Sequence, residues 1–323
     1  LIRSWIIKLF WNPFEKLCHI FPFVPINSEI KVVGPGIELI VLNNFVTKFL
    51  SAFGGGFDYA VIYLIDRELF FDTGYSWAKR TLQKKVFNLL DKNKVNFIVN
   101  SHDHEDHTGN NTFFLQSFPK AKVYLHKLAH LQVAFPPEKP LYRRFLFGPE
   151  EACPVHELPH SLRLASGRTL DVIHTPGHTD GHVCLYDPST KTLFTGDLFI
   201  SESLDTQLGE ANGPKWINSL TEVLKLDIDL ILDGHGVMIR GSECKSKLKK
   251  KLDFLTLLRG RVHELAARGE TTQNQLIKGL NSTPGIVNYL SHGEGWMSMI
   301  SSGDFRRSNL IRGFLEEYVA TKQ

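Results

Sequence analysis

The chain has 323 residues, 42% of them hydrophobic and 22% charged, the make-up of an ordinary folded protein with room for one large core and smaller attachments. Lys and Arg number 37 against 34 Asp and Glu, and the resulting +3 is too small a bias to argue for or against a polyanionic partner. No stretch reaches the roughly 18 consecutive apolar residues of a membrane span, and Cys18, Cys153, Cys184 and Cys244 are scattered with no CxxC pair, as suits unpaired thiols in a reducing, cytoplasmic setting.

Residues 1–29 form an apolar arm. LIRSWIIKLFWNPFEKLCHIFPFVPI is rich in Trp, Phe, Ile and Leu and is broken by Pro13, Pro22 and Pro25. The simplest reading is a helix and an extended piece packed on the main domain, or on a second copy of the chain in a homodimer. Peripheral membrane contact through residues 1–25 and a wall of an apolar substrate pocket are the competing readings. No small-residue cleavage site follows the arm, so a signal peptide is not expected.

From residue 30 to 242 short apolar runs alternate with turns and amphipathic stretches. KVVG, IELIVLN, AVIYLID and ELFFDTG read as strands, with a hairpin turn at Asp66 and Arg67. WAKRTLQKKVFNLLDK reads as a helix, KVNFIVN as a short buried strand, NTFFLQSFP as a helix and AKVYLHK as a strand. The Pro-rich stretch 131–160 lacks a period and reads as a long loop or lid, a place where function often resides. Strands return with RTLDVIHTP, HVCLYDP and KTLFTGD, followed by the helix KWINSLTEVLKL and the strand DLILDGHG. Such alternation predicts a layered α/β domain. Residues 243–323 read as an accessory helical region, with a stop and restart at Gly269 and Thr271-Thr272. The lysine run Lys245, Lys247, Lys249, Lys250, Lys251 reads as a solvated helix face.

The chemistry concentrates in SHDHEDHTG, which follows VNFIVN directly. His102 and His104, two apart, can grip one ion from a loop at a strand end, and Asp106 and His107 offer donors to a second. A hydrolytic zinc site wants three protein donors and an open position, and two ions can share a hydroxide while holding substrate oxygens. One segment cannot surround both ions. Three further donors stand in the same setting of apolar strand and tight turn: His178 in TPGHTDGH, Asp197 in TLFTGD and His235 in LILDGHG.

These four motifs, in this order, resemble the metallo-beta-lactamase fold superfamily of hydrolases, over roughly residues 30–240. The resemblance implies an αββα sandwich: two facing mixed β-sheets flanked by helices, with the metals at one edge and the C-terminal region added as a helical extension. It implies His102, His104 and His178 on the first ion, Asp106, His107 and His235 on the second, and Asp197 as the bridge. It also implies that Asp72 and His182 support the site without binding metal. Asp233 reads as a similar support, and Gly177, Gly196 and Gly234 as close-approach positions. With no cysteine donor the set is nearer the glyoxalase II-like and lactonase-like branches. The expected cofactor is two divalent metal ions, zinc first, with iron or manganese suited to the same donors. Glu105 is the one acid that could serve a flavodiiron-like centre instead.

The expected reaction is attack of a metal-activated hydroxide on a small ester, thioester or lactone, with Asp106 orienting the nucleophile or moving a proton. The alternative is a winged-helix-tailed endoribonuclease-like or other phosphodiester hydrolase of the same superfamily. From Asp197 to His235 is 38 residues (235 minus 197), too short for the domain inserted in RNA-processing and DNA-repair members. The partner is therefore expected to be a small molecule rather than nucleic acid. Arg143 and Arg144, in the 131–160 stretch, are the nearest candidates for gripping an anionic substrate, against the reading of a solvated pair.

Overall fold

A computed structural model describes residues 26–43, 59–202, 207–281, 283, 298, 301 and 303–322. The N-terminal arm over residues 1–25, with what was expected of it, lies outside the described residues.

Among the described residues thirteen strands form two sheets. The first has seven strands in sequence order: β1 (Asn27–Gly34), β2 (Ile37–Asn43), β3 (Tyr59–Ile65), β4 (Leu69–Phe71), β5 (Phe97–Val99), β6 (Lys122–Leu125) and β7 (His156–Glu157). Its first four strands are antiparallel and the rest continue in parallel. The second sheet has six strands in the order β13-β12-β11-β10-β9-β8, from β8 (Ser161–Arg163), β9 (Thr169–His174), β10 (Val183–Asp187), β11 (Thr192–Gly196), β12 (Leu230–Asp233) and β13 (Met238–Arg240). Only β11 and β12 pair in parallel there. The expected turn at Asp66 and Arg67 joins β3 to β4 with both residues at positive φ, 50° and 55°, the backbone that matches the twist of a hairpin.

The period-2 alternation of strand side chains sorts the apolar residues into three layers. Ile37, Leu39 and Val41 of β2, Val61, Tyr63 and Ile65 of β3, and Leu69 and Phe71 of β4 face the second sheet. They meet Leu170, Val183, Leu185, Phe194, Leu230 and Leu232 there. The intervening Ile40, Leu42, Ile62, Leu64 and Phe70 pack outward under helices α1 (Lys79–Lys85) and α2 (Asn111–Ser117). On the far side Cys184, Leu193, Ile231 and Ile239 are covered by helices α3 (Gly213–Val223), α4 (Glu243–Ala267), α5 (Gln273–Asn281) and α6 (Ser308–Ala320). This is the αββα sandwich with a C-terminal helical extension. Strands with apolar residues on both faces follow from burial of both faces of each sheet.

Three expectations are corrected. WAKRTLQKKVFNLLDK is not one helix but a 3-10 turn (Ser76–Ala78), α1 and a second 3-10 turn (Phe87–Leu89). The break at Val86 swings Phe87 into the core, where it meets the rings of Phe70, Phe114 and Phe118. The 131–160 stretch is not a bare loop, since it carries two short helices (His130–Ala134 and Leu141–Phe147) and β7. Finally, the lysine run is not wholly solvated. Lys251 is 1% exposed and its Nζ lies 4.6 Å from the Trp216 ring centre and 5.5 Å from that of Phe199. Among the described residues no helix is long and apolar enough to cross a membrane.

Candidate metal centre

Each sheet delivers its share of donors from the C-terminal ends of its strands. After β5 the chain runs through His102 and His104 into a single helical turn (Glu105–Thr108) that carries Asp106 and His107. From the second sheet, His178 follows β9 across the Pro176-Gly177 turn, Asp197 follows β11 at once, and His235 follows β12. All seven side chains are buried. The structure brings every one of the expected donors together.

Donor atoms of His102, His104 and His178 lie within 4.8 Å of one another, as do those of Asp106, His107 and His235, and those of His102, His107 and Asp197. Asp197 stands between the two histidine groups. Its Oδ2 is 3.4 Å from His178 Nε2, 4.0 Å from His102 Nε2 and 3.3 Å from His235 Nε2, while its Oδ1 is 3.4 Å from His107 Nε2. Asp106 Oδ2 is 3.7 Å from His107 Nε2 and 3.9 Å from His235 Nε2.

The donors suit divalent cations on two grounds. His102 Nε2, His107 Nε2 and Asp197 Oδ1 are buried with no hydrogen-bond partner, an arrangement that costs about 1–3 kcal/mol per group unless something else satisfies it. In addition, His178 Nε2 and His104 Nδ1 face each other at 3.1 Å. The opposite nitrogens of both rings meet acceptors, Gln207 Oε1 at 3.3 Å and Glu210 Oε1 at 2.6 Å. The ring protons belong on those outer nitrogens, so the inner ones present two lone pairs to a common point. A cation resolves both problems.

Electrostatics agree. Burial holds the His102 imidazolium far below the usual range and brings His178 down to about 3, so both are neutral donors. Burial would lower His107 as well, but the carboxylates of Asp197, Asp106 and Asp72 outweigh it and lift the ring to about 10. His235 rises to about 9 against its own burial, chiefly through Asp197. Burial disfavours the Asp197 carboxylate, yet His235 and His107 hold it ionised, well below the ordinary value. The carboxylates thus attract positive charge to the very atoms that would face an ion, and ion binding would displace protons.

The residues expected to support the site hydrogen-bond to the donors or to their backbone. Asp72 Oδ2 accepts from His107 Nδ1 at 2.8 Å, and the same carboxylate takes Ser101 N at 2.7 Å and Ser101 Oγ at 3.0 Å. Asp72 adopts φ 65°, a strained backbone for a non-glycine residue, and such strain concentrates at functional sites. His182 Nε2 accepts from the Asp197 amide at 3.0 Å, and Asp233 Oδ1 takes the amides of His235 and Val237 at 2.9 and 2.7 Å. A Cβ on Gly234 would lie 2.8 Å from His107 Cε1 and closer still to Asp197 Oδ1, so only glycine fits there.

Arg143 is neither a solvated residue nor an open anion grip. It is buried and paired with the Glu105 carboxylate, with Lys139 Nζ 3.8 Å away from that group. Glu105 accordingly belongs to none of the donor groups. Arg144 is partly exposed beside Glu138. Glu210 and Gln207 were not legible in the sequence, because TQLGEANGPK carries no motif.

Fold and donor set together define a binuclear metal-dependent hydrolase centre. Residues 55–235 match the metallo-beta-lactamase superfamily, and the chain belongs to that family. It is 24% identical over 211 residues to a hydroxyacylglutathione hydrolase of Francisella tularensis subsp. novicida, covering 64% of this chain and 76% of that protein. It is 29% identical over 157 residues to an acyl-coenzyme A thioesterase of Gallus gallus, covering 42% of this chain and 55% of that one. The chain spans between 34% and 76% of the length of such curated relatives. Among solved structures, a beta-lactamase domain protein from Burkholderia ambifaria superposes with a TM-score of 0.64 at 17% identity, over 90% of this chain and 89% of that one, a likeness of fold.

Proposed function

We propose that this protein hydrolyses a small acyl thioester, or a related ester or lactone, with two metal ions bound at the cluster. The carrying observation is the set of buried donor atoms on His102, His107 and Asp197 that have no hydrogen-bond partner. In this reading His102, His104 and His178 hold the first ion, Asp106, His107 and His235 hold the second, and Asp197 bridges. The bound ions would supply a hydroxide at neutral pH and polarise the acyl oxygen. Zinc is the first choice, since nitrogen and carboxylate donors in this number suit it.

The chain's own groups divide the remaining work. Asp106 is the most exposed of the seven donors, at 9%, and faces the shared edge, where its second oxygen orients the nucleophile or takes its proton. His182 and Asp72 keep the bridge and His107 in place. Commitment of Glu105 to Arg143 favours the hydrolase over a redox centre using Glu105 as a donor. The thioester preference rests on the two named relatives, a hydroxyacylglutathione hydrolase and an acyl-coenzyme A thioesterase, whose acyl groups are carried on sulfur. The described cysteines, Cys153, Cys184 and Cys244, are free, which supports a reducing, cytoplasmic setting. Residues 243–323 serve this core as an accessory region rather than as a nucleic-acid module.

The test is a hydrolysis screen of the metal-loaded protein against Asp197→Ala, with acyl thioesters, p-nitrophenyl esters, acyl lactones, a phosphodiester and a fluorogenic RNA. Thioester or ester turnover that disappears in the variant is expected. Cleavage of RNA or of the phosphodiester, with no acyl turnover, would overturn the substrate class and favour the phosphodiester alternative.

A further inference from the structure

We propose that loop 207–212, clamped by the C-terminal helical region, is the positioning element of the first metal ion, with Glu210 and Gln207 fixing the rings of His104 and His178. This rests on the donor assignment proposed above.

The two metal groups are held in different ways. On the second, His107 is fixed by Asp72, just beyond β4, and the His235 loop by Asp233, the last residue of β12. Both supports are anchored in the sandwich itself. On the first, the outer nitrogen of His104 meets Glu210 at 2.6 Å and that of His178 meets Gln207 at 3.3 Å. A carboxylate or amide oxygen at that place dictates the tautomer and ring angle, leaving His104 Nδ1 and His178 Nε2 turned inward. Both of these supports come from one short loop, while the third ring, His102, has its Nδ1 2.9 Å from Ser101 Oγ.

That loop is tied to the tail. Gln207 and Arg306 exchange backbone hydrogen bonds, Gln207 N to Arg306 O at 3.1 Å and Arg306 N to Gln207 O at 2.9 Å. Asn309 Nδ2 donates to Gln207 O at 2.7 Å, and the Arg312 guanidinium reaches Gly209 O. Gly213, just past the loop, lies against the Phe314 ring of α6. On its inner side the loop returns to the site through Asn212 N, which donates to Gly177 O at 2.7 Å beside His178. Through these contacts the tail reaches the surroundings of the first ion.

The experiment uses the full chain and measures binding of Co²⁺ by competition with a chromophoric chelator, together with its visible absorption. The wild type should bind two ions. Glu210 has a side chain 46% exposed, so Glu210→Ala leaves the core intact. It should weaken one ion about 10- to 100-fold and leave the other unchanged, and Glu210→Gln, which keeps an acceptor, should recover much of the loss. Asn309→Ala, on the tail, should weaken the same ion, whereas Asp233→Asn, behind the His235 loop, should weaken the other. Combining Asp233→Asn with Glu210→Ala should add the two effects, since they act on separate ions. Glu210→Ala with two wild-type affinities would overturn the proposal, as would Asn309→Ala with no effect on the ion that Glu210→Ala weakens. Failure of the wild type to bind two ions would instead overturn the donor assignment beneath it.

Discussion

Replacing Lys251 with methionine should stabilise this protein at pH 6, although the substitution deletes a charge from its interior. The lysine lies on α4 and reaches the layer between helices and second sheet, 1% exposed. Burial pulls its pKa from 10.5 down to about 7, against the opposing pull of Asp197 and Asp233. At about 1.4 kcal/mol per pH unit, the fall from 10.5 to about 7 means that holding the ammonium inside costs roughly 4–5 kcal/mol below pH 7. The Trp216 ring at 4.6 Å and the Phe199 ring at 5.5 Å return part of this, about 2 kcal/mol for a desolvated cation over aromatic faces. A net cost on the order of 2–3 kcal/mol remains. The sign follows from proton counting: above the folded pKa the native state has released its proton while the unfolded chain keeps one. Stability attributable to Lys251 therefore rises with pH until the unfolded lysine also titrates near 10.5. Positive ions bound nearby would push in the same direction. Lys251→Met keeps the stem volume and removes the charge. The melting temperature of the metal-loaded protein should rise on the order of 5 °C at pH 6. The advantage should shrink by about half by pH 9.5. Thermal unfolding of both proteins at the two pH values isolates the lysine from other titrations. A variant less stable than wild type at pH 6, or an advantage that does not shrink with pH, refutes the reasoning.

Gly234→Ala should abolish two-ion binding while leaving the far-ultraviolet circular dichroism unchanged, because its Cβ would press on His107 and on Asp197 at the centre of the donor set; full metal content would show that the glycine is incidental. Arg143→Met strands the buried Glu105 carboxylate and should cost about 3–5 kcal/mol, toward the low end because Lys139 is 3.8 Å from it. Adding Glu105→Gln should restore most of that stability in urea unfolding, and additive losses in the double variant would mean that the two residues do not act as a pair.

Features that depend on local pattern were legible from the sequence. The near-continuous apolar runs in IELIVLN and AVIYLI point to strands covered on both faces, and the structure sorts their side chains into the facing and outer layers accordingly. Donors placed where an apolar strand meets a glycine turn, as in FTGD and LDGHG, converge because neighbouring strands end at the same edge. What escaped depends on approach between distant segments. Glu210 lies 106 residues from His104, and Arg143 lies 38 from Glu105. Nothing in either neighbourhood signals its partner. Lys251 was misread because it ends a run whose other lysines are not buried, and helical phase alone decides that its stem turns inward. The break at Val86 escaped for a related reason: helical spacing persists through the segment, while the aromatic cluster around Phe70 captures Phe87.

The donors are divided between the sheets in a way that bears on stability as well as chemistry. His102, His104, Asp106 and His107 follow β5 of the first sheet, whereas His178, Asp197 and His235 follow β9, β11 and β12 of the second. Each proposed ion takes donors from both, so each is a cross-link over the open edge of the sandwich. Below that edge the sheets are joined by apolar contact, with Tyr63 and Phe71 set against Phe194 at ring distances of 5.4 and 5.9 Å. At the edge itself Asp197, Asp106 and Asp72 meet four buried histidine rings that cannot all be protonated or all be neutral at low cost. A dense apolar interior resists relaxing around such a cluster. The rigid layer between the sheets thus holds the donors at ion-binding spacing before any ion arrives, and the ions return that strain as stability through binding to the folded state alone.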